Sequence, residues 1–405
     1  MATVVMLEAL AFGLERLSAA AGRLGVDLVL LTFDRAYYSR QLQRAGEIRV
    51  VDVDTFDADA VRHALDGLGR VDGMVSNTDT WAPLAEQLAS ERGFPNVISQ
   101  AARLRDKVWV RNRLVDAGLT RLRAVRGSDW AALPAASRPA MAVVKDAAGT
   151  SSKNVLLAER QEEVEARIAE LVERGVPAER VTVEPYLCGP LYSAETYTTE
   201  SGTVLFGINS RTISELPDFR EMDLTFPVDR GGAWEKEIAD WACEVLGAIG
   251  RGVGPSHIEF IQTASGPEVV EVNPRLGGGH IGEAVLRVTG VDPYELLLVQ
   301  ALEPRLEERH VAAATCRPTA GGFAQVLKYA SRTGPLGPVE GADVLSLFPG
   351  DITWTPLKGP DTVIDSVADQ GACYGFLTAT GPNPDTALSR ALAAARHLRT
   401  SASAP

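Results

Sequence analysis

Residues 257–280, HIEFIQTASGPEVVEVNPRLGGGH, constrain the fold of this chain more than any other stretch. Two apolar runs rich in Ile, Phe and Val flank the polar segment Thr263-Ala264-Ser265-Gly266-Pro267, the pattern of a β-hairpin with a short loop. A loop centred on Ser265 sets Glu259 opposite Glu271, with Asn273 two residues further on the same face. Two ionised carboxylates directly opposite one another repel, so the pair is expected to hold a cation between them. Carboxylate and amide oxygens are hard ligands, which points to Mg2+ or Mn2+ rather than zinc. Arg275, the triplet Gly277-Gly278-Gly279 and a helical stretch from about Ile281 follow. A cation, a fixed guanidinium and a glycine-rich helix start together make a place for phosphate. Taken singly, each acidic residue reads as a solvated strand face; the joint E-x(11)-E-x-N-P-R-x-G-G-G arrangement carries the inference.

The rest of the composition sets bounds. A chain of 405 residues buries ample core and is expected to divide into several domains or subdomains. With 40 basic and 53 acidic residues the net charge is -13, which argues against a nucleic-acid partner while leaving room for a local basic pocket. No run reaches the roughly 18 apolar residues of a membrane span, and Glu8 interrupts the first apolar run, so no membrane association and a cytoplasmic location are expected. Cys188, Cys243, Cys316 and Cys373 are scattered and suggest neither a disulfide framework nor a thiolate zinc site. The Ser/Ala/Pro tail at 401–405 reads as frayed.

Strand patterns at 3–7, 26–32, 48–53 and 71–76 alternate with helical ones at 13–24, 57–67 and 82–92, which predicts a parallel sheet covered on both faces. Ligands of such sheets sit at the carboxyl ends of strands, where Glu8, Asp34, Asn77 and Asp79 fall, although loop polarity and helix capping explain them as well. Asp106 and Lys107 open a helix ending at Gly118, with Arg111 one turn beyond Lys107. A lysine in a first turn opposes the helix dipole, so an anion is expected beside it. Residues 140–146 form a strand ending near Lys145, and the Gly149-Thr150-Ser151-Ser152-Lys153-Asn154 loop after it suits a flap that wraps phosphate oxygens. Pro185 interrupts the strand 181–187 and leaves neighbouring backbone groups free for an adenine edge. Strands at 192–199 and 203–210, a helix near 233–249 and helices on either side of Gly290 surround the hairpin. Short β-segments at 321–328, 343–347 and 373–380 and a final Ala- and Leu-rich helix at 384–399 carry no chemical motif and suggest packing, closure or oligomerisation.

In order, DK-x-x-x-R at 106–111, K-D-x-x-G-T-S-S-K-N-V at 145–155, E-P-Y-L at 184–187, H-I-E at 257–259 and E-V-N-P-R-L-G-G-G at 271–279 resemble the ATP-grasp superfamily. The resemblance is to carboxylate-amine ligases similar to L-amino acid ligases, and more distantly to biotin carboxylase and D-alanine:D-alanine ligase. It implies an α/β and α+β multidomain fold: an N-terminal parallel-sheet preATP-grasp (Rossmann-like) domain at 1–105 and ATP-grasp subdomains at 106–185 and 186–305. A small C-terminal α+β closing domain at 306–405 completes it. It implies ATP and two Mg2+ or Mn2+ ions as cofactors, with Glu259, Glu271 and Asn273 as metal ligands. By the same resemblance Lys107 and Lys145 touch nucleotide phosphates, and Gly149, Thr150, Ser151, Ser152 and Lys153 close over them. Glu184, Tyr186 and Leu187 receive the adenine, and Arg275 stabilises the transferred phosphoryl group. Many relatives have a ribose-binding Glu where this chain has Leu191, so either Glu195 serves that contact or no side chain does.

The implied chemistry transfers the γ-phosphoryl of ATP to a carboxylate, giving an acylphosphate that an amine attacks, with a flap to exclude water. His257 and His280 lie close by; a structural histidine is the first reading for each, and orienting substrate or taking the amine proton the second. The expected partners are a small-molecule carboxylate, an amino acid first of all, and an amine. A carrier-protein thiol as acceptor is a second reading, disfavoured by the net acidity. A nucleotide-binding protein without ligase activity is a third, against which the intact acidic face argues. A homodimer stays open.

Overall fold

A computed structural model describes residues 1–10, 12–95, 100–149, 152–302, 311 and 321–400. Thr150, Ser151, Cys316 and the 401–405 tail lie outside the described residues. Four parallel strands, in the order Arg49–Asp52, Val26–Thr32, Ala2–Leu7 and Gly73–Val75, form the first sheet. Their near-continuous apolar runs are explained by burial on both faces. Val4, Met6, Leu28 and Leu30 face one side, and Val5, Leu7, Val29 and Leu31 the other. Helices Ala58–Gly67 and Ala82–Glu91 cover the second side through Val61, Leu65, Ala85 and Leu88. The first side is covered by Leu14–Leu24, as its apolar spacing predicts, and by Pro293–Leu302, which returns from far along the chain. Burial of each Leu in that layer contributes about 2 kcal/mol.

A second sheet has eight strands, all paired antiparallel, in the order Gly266–Asn273, Gly254–Thr263, Leu191–Thr199, Gly202–Ile213, Glu221–Phe226, Gly322–Tyr329, Cys373–Gly381 and Thr353–Pro356. The sequence reading misses Glu221–Phe226 and Thr353–Pro356, which join the region after 311 to the hairpin in one sheet. Helices Lys107–Asp116 and Ala233–Ala248 pack through Val110, Leu114, Ile238, Ala242 and Val245 onto Ile258, Phe260, Val269 and Val272. Helix Ile281–Thr289 packs on Tyr197, Phe206, Leu224 and Phe226. A third, antiparallel sheet runs Val125–Arg126, Val181–Pro185, Ala142–Asp146 and Val155–Ala158.

Two local expectations change. The segment expected as a strand at 343–347 is a 3-10 turn over Leu345–Leu347. A strand would put Leu345 and Leu347 on one face, whereas Leu345 is buried and Leu347 exposed. The final helix, Pro384–Ala395, ends earlier than its composition suggests, and Ala387, Ala391 and Ala394 let it lie close on Ala324 and Ala379. Among the described residues no helix is long and apolar enough to cross a membrane.

The returning helix Pro293–Leu302 approaches the first sheet so closely that a Cβ on Gly73 would stand 2.0 Å from the Ala301 carbonyl oxygen. Gly73→Ala is therefore expected to destabilise the protein by about 1–3 kcal/mol in urea denaturation. At Gly67, the last residue of its helix with open space where a Cβ would go, alanine is expected to stabilise by about 0.5 kcal/mol.

Candidate active site

The two larger sheets and the small antiparallel sheet enclose a cavity of about 1050 Å³. The hairpin supplies its floor. Glu259 pairs directly with Glu271, and His257 with Asn273. The loop is not centred on Ser265: Thr263 pairs with Gly266 across two residues, Ala264 and Ser265, and a bulge beside Glu259 skips Val270 and restores the pairing. Each carboxylate is countered from a different side. Lys107 Nζ lies 3.1 Å from Glu271 Oε2, and the Asn273 side-chain amide donates to Glu271 Oε1 at 2.8 Å. Arg211 Nη1 lies 2.6 Å from Glu259 Oε1, and the same guanidinium pairs with Glu221. Burial opposes the Glu259 charge, but Arg211 and His257 outweigh it and hold the carboxyl well below its usual range.

The anion expected beside Lys107 is Glu271, reached from a helix whose N-cap is Asp106, which accepts from the Val108 and Trp109 N–H groups. Lys107 also donates to the Ala147 and Gly149 carbonyls at 3.2 Å, tying that helix to the loop after strand Ala142–Asp146. Lys145, at the end of strand Ala142–Asp146, lies 2.9 Å from Glu184 Oε2. Arg111 stands 3.5 Å from the same oxygen. Burial pushes Lys145 below the usual lysine range, assisted by Lys107 despite the opposing attraction of Glu184. Glu184 Oε1 is buried with no hydrogen-bond partner among the described residues. Asp146 anchors the loop base by a bidentate pair with Arg180.

Gly149, Ser152, Lys153, Tyr186 and Leu187 all line the cavity. The hinge is less free than Pro185 suggests, because the Tyr186 N–H donates to the Met141 carbonyl at 3.0 Å. Among the described residues the Leu187 N–H has no such partner. Arg275 makes a fork with Asp79, Nε to Oδ1 at 2.7 Å and Nη2 to Oδ2 at 2.6 Å. Burial works against the Asp79 charge, but Arg275, Arg105 and Lys107 hold its carboxyl below the usual range. Asn77 accepts the Leu276 N–H at 3.0 Å, so two of the strand-end residues clasp the segment after the hairpin. Asp34 caps the turn at Arg35–Tyr38.

Three readings are corrected by position. Glu195 is buried behind the cavity wall, where it accepts from His257 Nδ1 at 2.7 Å, Ser193 and Asn209; it reaches no ribose there and positions His257. His257, between Glu195 and Glu259, is raised to about 9: burial lowers it, and the two carboxylates more than compensate. Both of its ring nitrogens are engaged by these carboxylates, Nδ1 by Glu195 and Nε2 by Glu259, so its contacts hold Glu259 in place. His280 is packed between Phe12 and Phe376 and bonded to Gln325, off the cavity wall. Burial lowers its pKa, so it stays neutral there. Sequence reasoning passes over Arg211, Glu221 and Gln325, because isolated residues on strands without a motif give no signal until pairing brings them together. Gly279 is required where it stands: its φ is +60°, and a Cβ would lie 2.9 Å from Gln325 Nε2.

Among the described residues no three His, Cys, Asp or Glu side chains form a metal-binding cluster. Two carboxylates and an amide on one hairpin face are nonetheless a hard oxygen set, which fits Mg2+ or Mn2+ with its remaining positions left for phosphate and water.

Residues 139–283 match the ATP-grasp domain family, and residues 327–402 match the L-amino acid ligase C-terminal domain 2 family. A protein of Sinorhizobium fredii, uncharacterized protein y4rH, is 28% identical over 390 residues, 92% of this chain and 78% of the relative. The crystal structure of L-amino acid ligase from Bacillus licheniformis superposes with a TM-score of 0.83 at 18% identity, over 99% of this chain and 98% of that one. The biotin carboxylase domain of 2-oxoglutarate carboxylase from Hydrogenobacter thermophilus, solved with MgADP and bicarbonate, superposes with a TM-score of 0.71 at 15% identity, over 98% and 90% of the two chains. The fold is thus the ATP-grasp fold, with a parallel-sheet N-terminal unit.

Arg211 is 6% exposed between two carboxylates. Arg211→Met is expected to cost about 3–5 kcal/mol in chemical denaturation, because Glu221 and Glu259 are left without their shared cation. Adding Glu221→Gln is expected to recover part of that loss.

Proposed function

We propose that this chain, an ATP-grasp protein with an L-amino acid ligase C-terminal domain, is an ATP-dependent carboxylate-amine ligase that forms an amide or dipeptide and releases ADP and phosphate. One observation carries the reading: Glu259, Glu271 and Asn273 line the same cavity as Lys107, Lys145 and Arg275. That is a place for a triphosphate and a carboxylate together, since phosphoryl transfer needs positioning and charge neutralisation more than a protein nucleophile.

In this reading Glu259, Glu271 and Asn273 hold two Mg2+ ions, Glu271 standing between the other two along the face. Bound there, the ions supply neutralisation of charge developing on the phosphoryl oxygens. Lys107 and Lys145 exchange their carboxylate partners for phosphate oxygens, and the Leu187 N–H meets the adenine beside Glu184 and Tyr186. Gly149, Ser152 and Lys153, on the cavity wall, cover the phosphates and keep water from the acylphosphate. Arg275, oriented by Asp79, steadies the phosphoryl group as the substrate carboxylate oxygen bonds to γ-phosphorus and the bond to ADP breaks. The neutral amine then attacks the acyl carbon, phosphate leaves, and the amine gives up its proton. His257 keeps Glu259 in place.

Incubation with MgATP and pools of amino acids is expected to release ADP and phosphate in an amino-acid-dependent way. AMP and pyrophosphate instead would exclude the acylphosphate route. Glu271→Gln is expected to lower turnover by about 100- to 1000-fold without unfolding the protein, and chelation of divalent cations should stop it reversibly.

A further inference from the structure

Glu8 is 1% exposed, yet it borders the same cavity. It follows the strand Ala2–Leu7 at the carboxyl edge of the parallel sheet. Its backbone is in the left-handed region, φ +54°, and is pinned there by an N–H bond to the Leu31 carbonyl at 3.0 Å. A non-glycine residue held in that conformation is a recurrent mark of a functional position. Its carboxylate accepts only from neutral donors: the Phe33 N–H at 2.8 Å, the Thr55 hydroxyl at 2.8 Å and the Tyr38 hydroxyl at 2.8 Å. Among the described residues no Lys, Arg or His forms an ion pair with it. A buried carboxylate oriented by three donors and lacking a counter-cation is chemically half of a pair. The other carboxylates of the floor differ in this respect, since Glu184, Glu259, Glu271 and Asp79 each have one.

The surroundings of Glu8 select what comes with the cation. Phe33, Tyr37 and Trp81 border the cavity there, and Phe33 and Tyr37 are 50% and 59% exposed. Phe33 and Trp81 are stacked, with centroids 5.7 Å apart, and Phe56 closes the cluster at 5.1 Å from each. Ring faces left open beside a buried carboxylate suit an ammonium group and an attached apolar side chain.

We propose that Glu8 binds the α-ammonium group of the amino acid whose carboxylate is activated, with Phe33, Tyr37 and Trp81 receiving a bulky apolar or aromatic side chain. This rests on the ligase reading for the fate of the carboxylate. The attacking amine is not the occupant, because a buried carboxylate would keep it protonated and without the lone pair it needs. The ends of the neighbouring strands Ala2–Leu7 and Gly73–Val75 bring Glu8 and the Asp79–Arg275 pair to one rim.

The test is calorimetric titration of the full chain with MgADP present, using L-phenylalanine and L-leucine against their des-amino analogues, 3-phenylpropionate and 4-methylpentanoate. The wild type is expected to prefer each amino acid to its analogue by about 30-fold or more. Glu8→Gln is expected to bring that ratio near one. Phe33→Ala is expected to keep the ratio but to weaken both amino acids several-fold relative to L-alanine. No binding of either amino acid by the wild type, or a wild-type ratio near one, would overturn the proposal; so would a ratio unchanged in a folded Glu8→Gln protein. Should that variant fail to fold, the wild-type ratio decides. Binding with the expected ratio but no ADP formation from MgATP would remove the ligase reading and leave the ammonium site standing.

Discussion

The fork between Arg275 and Asp79 is the contact on which the arrangement of the cavity rests. Arg275 follows the acidic hairpin in the eight-stranded sheet, and Asp79 leaves the parallel sheet, so one bidentate pair sets the distance between two separately built units. Planar charge-assisted pairing fixes orientation as well as distance. The same principle extends over the floor, where Lys107 joins helix, loop and hairpin, and Arg211 joins three strands through Glu221, Glu259 and His257. Such buried networks add little net stability compared with well-packed apolar residues, but they fix the geometry of the cavity floor.

Most of the architecture was legible because its elements have strong periodicity and unambiguous ends. The parallel sheet, the helix after Asp106 and the strand carrying Lys145 lie where apolar runs, a capping Asp and flanking glycines place them. The Glu259–Glu271 pairing was also foreseen, although by a route that two departures make coincidental: the turn is tighter than expected by one residue, and the bulge at Val270 gives that residue back. Neither departure is visible in composition, since a bulge is decided by the partner strands. Position 343–347 went the other way, its apolar residues being divided between core and solvent.

The side-chain pairings were largely hidden for a different reason. Arg211 and Glu221, Glu195 and His257, and Gln325 and His280 are brought together by sheet order or by the packing of a helix on a sheet, and strand order follows no local rule. Motif spacing identified the residues with charge to offer to a ligand. It does not tell which of them are already committed to one another, and this is why it leaves a ribose contact open for Glu195 and a substrate role open for His280, neither of which lines the cavity.

The helix Pro293–Leu302, which closes one face of the parallel sheet from the far side of the chain, gives the protein a non-contiguous first unit. The first hundred residues are therefore not a portable module. A chimera exchanging them with a relative would put a foreign sheet under a resident helix, with Leu297, Leu298 and Ala301 meeting surfaces they do not fit. Divergence of the substrate-facing rim is thereby coupled to a helix remote in sequence, and any recombination that respects the packing must carry both segments together.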